Sequence, residues 1–265
     1  MNPDASAVFT TGSAVRPLPA FGGVWRLTYR PAIAPLRWLM VAGALVLVAG
    51  FTVLTVRPGN PRQFYQWTIE FYFSVLVPIL AFISGGGAIR DDMKPGSADY
   101  LLTRPVRRPV FVAYRYLCHL GCEQAGFLLA LAVVIGAGFY RDIPGLASAL
   151  LRLLLAQVLL VTAFTALGFL GGAVTSRFVV LGMVYGVLIE NGIGRIPLAI
   201  NQLSVLRNVK GMLHPVFAGS GRLAVPEQGV LVTVAVVLGL TLVWVALAAA
   251  IFSFREFVGE RAKEP

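Results

Sequence analysis

Four neighbouring residues could hold a metal: Cys118, His119, Cys122 and Glu123. Thiolate, imidazole and carboxylate are the donors of zinc sites, usually four to a metal. In a helix, side chains four apart share a face. Cys118 then falls with Cys122, and His119 with Glu123, on faces that point in different directions. The spacing is neither a zinc nor a haem-attachment pattern. These side chains read as helix-packing groups, with His119 and Glu123 placed to pair with each other.

Asp91 and Asp92 raise magnesium chemistry. Such sites need several convergent carboxylates. Asp99, the nearest companion, lies beyond a break at Pro95, so a metal-dependent, lipid-processing enzyme is disfavoured. No Gly-x-x-x-x-Gly-Lys-Ser/Thr phosphate loop occurs, and Gly85-Gly86-Gly87 lacks the lysine. No cofactor or metal is expected on this chain. Glu190 sits in an apolar stretch, where a carboxylate is costly and marks a structural pair or a functional site. Its pairing with Arg195 is one reading; lining a pathway or gate is the other.

The elements that must position these groups are membrane helices. Of 265 residues, 57% are hydrophobic and only 13% charged, too little polar surface for a water-soluble globule of this length. A bilayer core of about 30 Å needs about 20 apolar residues as helix. Six runs qualify or nearly do: 36–56, 71–89 with a kink expected at Pro78, 116–139, 146–175, 178–194 and 230–254. None alternates polar and apolar as barrel strands do. The fold class is therefore an all-α integral membrane protein of six transmembrane helices, with residues 36–254 as the membrane domain.

The net charge is +10. In a membrane protein such an excess belongs to cytoplasmic loops and anionic lipid, not nucleic acid. With the N-terminus inside, most Lys and Arg fall on the inner side, six of them between Arg90 and Arg115. Both termini are thus expected in the cytoplasm. Residues 1–35 read as a polar tail and an interfacial segment, and 255–265 as a second tail. Within 21–38, Phe21, Trp25, Tyr29 and Trp38 alternate with Arg26, Arg30 and Arg37, which suits headgroup depth or plain anchorage of the first span. Residues 195–228 are too apolar for a free loop and read as short helices before the last span. Gly168/Gly172 and Gly182/Gly186 have the spacing that permits close helix contact, within the bundle or between subunits.

The loop 90–115 is the most informative segment. Pro95 and Gly96 break the chain, and Ser97 can cap a helix start. Ala98 to Thr103 make under two turns before Pro105 stops them, and Pro109 suits the first turn of the next span. So short a helix is unstable alone. It also carries Tyr100, Leu101 and Leu102, costly to leave wet. It reads as a docking knob for a partner or for the protein's own face, against the plainer reading of a solvated basic loop.

The stretch Asp92 to Phe111, with its core Gly-Ser-Ala-Asp-Tyr-Leu-Leu-Thr-Arg-Pro-Val-Arg-Arg, resembles the loop after the second span of ABC-2 type transporter permeases. Glu190 with Leu203-Ser204 resembles a second, weaker pattern of some of these permeases. Ala98-Asp99 stands where Leu-Glu is commoner in the family. The resemblance implies a permease subunit, an exporter, in a bacterial-type inner membrane. It implies a second permease copy or a related one, and two separate ATPase subunits that carry ATP and Mg. It assigns ATPase docking to Asp92, Gly96, Ser97, Asp99, Tyr100, Leu101, Leu102, Arg104, Pro105 and Arg108. An ATPase-independent secondary transporter or channel is the alternative.

Overall fold

The computed structural model describes residues 22–25, 35–93, 108–186, 190, 204–217 and 227–254. Helices joined by short turns make up these residues, with no strand among them. In chain order they are α1 (Pro35–Thr55), α2 (Pro61–Asp92), α3 (Arg108–Tyr140), α4 (Leu146–Val174), α5 (Phe178–Tyr185), α6 (Val205–Phe217) and α7 (Val230–Phe254). Of these, α2, α3, α4 and α7 are long and apolar enough to cross a bilayer. The bundle is that of a membrane-embedded protein.

Two helices begin earlier than their apolar runs. α2 starts at Pro61 rather than Phe71. The Asn60 side chain accepts the Gln63 N–H at 3.1 Å, and Pro61 has its backbone angle fixed for a first turn. The added turns are stabilised by burying Phe64, Tyr65 and Trp67. α3 starts at Arg108 rather than Tyr116, with Pro109 in the first turn. The disturbance expected at Pro78 takes the form of a π-helical stretch, Thr68–Leu76, just before it. Proline has no N–H to give the carbonyl four residues back, and its ring crowds that carbonyl. The preceding turns are the wider, five-residue kind.

Registers fix the directions. Phe82 lies at Gly168 and Gly86 at Gly172, so α2 and α4 run parallel. Tyr116 meets Phe169, and Gln124 meets Val158, so α3 runs antiparallel to α4. α7 has Thr233 beside Asn208 at one end and Phe252 beside Phe111 at the other. One end of the bundle, the loop end, therefore carries Asp92, Arg108 and Ser253. The far end carries the turns at Val56–Asn60 and Arg141–Gly145. There the Gly59 N–H donates to the Arg141 carbonyl at 2.8 Å, and Arg141 Nη2 donates to the Val53 carbonyl at 2.5 Å.

α4 is the axis of the core. Leu153, Leu160, Ala163, Ala166 and Phe169 are all buried. Gly168 and Gly172 face the α2 backbone: a Cβ on either would overlap a carbonyl oxygen, of Phe82 and of Gly86 respectively. Close backbone approach is what small residues allow between membrane helices. Gly182 of α5 seats the Phe82 ring, whereas Gly186 has open space beside it. The contacts of Gly168, Gly172 and Gly182 are thus within the chain. α7, by contrast, turns Leu231, Leu242 and Phe254 outward. Among 22–25, Val24 is buried and Trp25 lies over Gly121 of α3.

Candidate functional site

Two polar clusters stand out in this apolar bundle. The first lies at the loop end, on helices that the folding of α2, α3 and α4 brings side by side. Asp92, in the last turn of α2, accepts from Arg115 Nε of α3 at 2.6 Å. Both side chains are largely buried, 18% and 14% exposed. Arg108 Nη1 donates to the Ser253 carbonyl of α7 at 3.1 Å. The helices that flank 94–107 are thus tied together, and α3 is tied to α7. Of the residues assigned to docking by the resemblance, Asp92 and Arg108 take part in these ties. Gly96, Ser97, Asp99, Tyr100, Leu101, Leu102, Arg104 and Pro105 lie outside the described residues.

Further along α3 a second tier crosses three helices. His119 Nε2 lies 3.1 Å from Ser84 Oγ of α2 and 3.5 Å from Glu123 Oε1. Thr165 of α4 donates to the other oxygen of Glu123. Gln124 Nε2 donates to the Val158 carbonyl at 3.0 Å and to Thr162 Oγ1 at 3.1 Å. Tyr116 donates to the Thr162 carbonyl at 2.9 Å. The Glu123 side chain is only 7% exposed. The expected i, i+4 pairing of His119 and Glu123 is present; Ser84 and Thr165 join it from helices 35 and 42 residues away in sequence. Sequence spacing reports only neighbours on one helix. Polar residues inside otherwise apolar runs, such as Ser84 and Thr165, were the available signal. The Cys118 thiol is buried and Cys122 is part-buried. Among the described residues no group of three or more His, Cys, Asp or Glu is placed to hold a metal.

The second cluster is built on Glu190. Its carboxylate accepts from Ser204 Oγ at 2.5 Å, from the Val205 and Leu206 N–H groups at 3.1 and 3.2 Å, and from Tyr185 at 3.2 Å. Ser204 Oγ in turn accepts the Arg207 N–H at 3.1 Å. A carboxylate and a serine thus satisfy the first three N–H groups of α6, at the end where a helix favours negative charge. α6 forms because Val205, Val209, Met212 and Leu213 recur at helical spacing and are buried. Arg207 and Lys210 lie off that face, and Lys210 Nζ donates to Glu70 of α2 at 3.1 Å. Asn208, also buried, donates to the Ser204 carbonyl at 2.7 Å and accepts on its backbone from Thr233 of α7. Glu190 therefore serves as a clasp between the end of α5 and the start of α6. Arg195, its other expected partner, lies outside the described residues.

What both clusters supply is hydrogen bonding that fixes helices relative to one another. No protein-family model matches the chain, and no curated protein matches it.

Proposed function

We propose that this chain is the membrane-spanning permease subunit of an ATP-binding-cassette transporter of the ABC-2 type, working as an exporter. The observation that carries the reading is the stretch 92–111, whose residues resemble the docking loop of that family. The tie between Asp92 and Arg115 supports it, because it joins the two helices from which that loop springs. A push on the loop is then delivered to α2 and α3 together. The reading has six spans, α1 and the helix begun by α5 joining the four long ones. It places both termini and the loop in the cytoplasm of a bacterial-type inner membrane. The complex holds a second permease copy or a related one, and two ATPase subunits that bind ATP and Mg. Docking falls to Ser97 to Thr103 with their flanks, and substrate moves without covalent chemistry on this chain.

Purification from the native membrane in mild detergent tests the reading. An ATPase is expected in equal amount, and it should be lost when Tyr100 and Leu101 are changed to Asp. Isolation of the chain alone under several gentle conditions would sink the reading. A second reading, secondary transport without an ATPase, is favoured by Glu123 and His119, ionisable groups held inside an apolar helix. It predicts uptake or efflux driven by a pH gradient in vesicles that hold this chain alone.

A further inference from the structure

A cavity of about 470 Å³ opens at the far end of the bundle, away from the loop. Its walls come from three stretches that are distant in sequence: the start of α2, the turn into α4, and the end of α6. Pro61, Pro144 and Pro215 stand on these three stretches, one on each. A proline fixes its own backbone angle, so the cavity is largely preformed and loses little entropy on filling.

Among the described residues, Arg152 is the charged residue in the wall, and no carboxylate lines the cavity. It differs from two other cations of that end, Lys210 and Arg141. Lys210 is held by Glu70, and Arg141 by the Val53 carbonyl. Arg152 has no hydrogen-bond or ion-pair partner among the described residues. The Ser148 hydroxyl, also in the wall, already donates to the Gly145 carbonyl at 2.7 Å. Arg152 is thus the strong donor the cavity offers. A guanidinium presents its N–H groups as a planar fork matched to phosphate and carboxylate. The volume lies within the range of about 300–1,000 Å³ found for small-molecule sites, far above what a bare ion fills. The remaining wall, Tyr65 and the prolines, suits uncharged carbon. Phosphate esters are the anions present in quantity at the depth where a membrane helix begins.

We propose that this cavity binds a phosphate-bearing organic headgroup, clamped by Arg152. The site is independent of whether an ATPase drives the protein. The phosphate can belong to an anionic lipid or to a water-soluble ester, and the test separates the two.

The full chain, with any subunits that accompany it, is purified in a neutral detergent. Binding is followed by thermal shift with dioctanoyl-phosphatidylglycerol and with glycerol 3-phosphate, dioctanoylglycerol serving as a phosphate-free control. At least one phosphate probe is expected to bind better than the control. Its affinity should fall about ten-fold in Arg152→Gln, the loss of one charge-assisted contact. Arg62→Gln removes an exposed cation that does not line the cavity and should leave binding unchanged. Should Arg152→Gln fail to fold, Arg152→Lys keeps the charge, loses the fork and should bind several-fold more weakly. Binding of the lipid alone assigns the site to the membrane, and binding of glycerol 3-phosphate assigns it to a soluble ester. Equal binding by wild type and the Arg152 variant overturns the proposal. So does an equal loss in Arg62→Gln, which would reduce the effect to general surface charge. Failure of both phosphate probes to exceed the control also overturns it.

Discussion

Asp92 and Arg115 are residues at which a small change should be costly. Removing Arg115 leaves the Asp92 charge largely buried without that partner, a loss of about 3–5 kcal/mol in fully buried pairs. With both side chains 14–18% exposed, solvent screening reduces this, and Arg115→Ala should cost about 1–3 kcal/mol. Chemical unfolding in detergent measures it, and Asp92→Asn added to Arg115→Ala should recover part of the loss. Equal stability of wild type and Arg115→Ala would show that water already satisfies Asp92. Glu190 calls for a different readout, because its bonds lie at one helix end. Glu190→Ala should lower stability by about 1–2 kcal/mol, the usual cost of a lost cap. Amide exchange should quicken at Val205 and Leu206 and stay slow along α4, with Glu190→Gln in between. Uniform quickening along the chain would argue against a local clasp. Glu190 was legible in the sequence as a carboxylate in need of a reason. Its partners were not, because Ser204 lies 14 residues on and no periodicity spans the interval. A serine just before an apolar periodic run is nonetheless a helix-start signal, and Leu203-Ser204 before Val205 was the trace it left.

At the scale of the elements, glycines separate into those that touch backbone and those that touch nothing. A methyl on Gly168 would meet the Phe82 carbonyl, whereas one on Gly136 of α3 would meet open space. Gly168→Ala should therefore force α2 and α4 apart, at about 1–3 kcal/mol as in other overpacked sites. Gly136→Ala should be neutral or gain up to about 1 kcal/mol from better helix propensity. Thermal unfolding of the two variants side by side checks this, and equal midpoints would remove the distinction. Which glycine of an apolar run faces a neighbour depends on the rotation of the helix, and a uniformly apolar helix such as α4 does not announce its rotation. Helix existence was legible from apolar length, since α4 and α7 begin where their runs begin, at Leu146 and Val230. The starts of α2 and α3 were not, because Asn60-Pro61 and Pro109 extend a helix past its apolar part. Hydropathy sees the membrane; capping sees the backbone.

For the molecule as a whole, the parallel course of α2, α4 and α7 sorts the described turns to one end or the other, and the proposed function puts the loop end inside. In a variant lacking Cys118 and Cys122, a cysteine at Asn60 or Ser148 should react with an impermeant thiol reagent in intact cells. A cysteine at Ser97 or Ser176 should react only after permeabilisation. The reverse pattern would invert the orientation, and labelling of all four from one side would contradict a spanning bundle. The sequence made the long helices legible through their apolar runs, but not which of them lies at the centre; the burial of α4 from Leu159 to Ala173 arises only when the others assemble around it. Where Gly168 and Gly172 put backbone on backbone, the Ile89 methyl of α2 also sits against Gly172 and the Phe82 ring against Gly171. A pair of rings pins α5 to α2 as well, Phe82 lodged at Gly182 and Phe178 at Gly86. Displacing α2 along its axis would have to carry α4 and α5 with it, as one block.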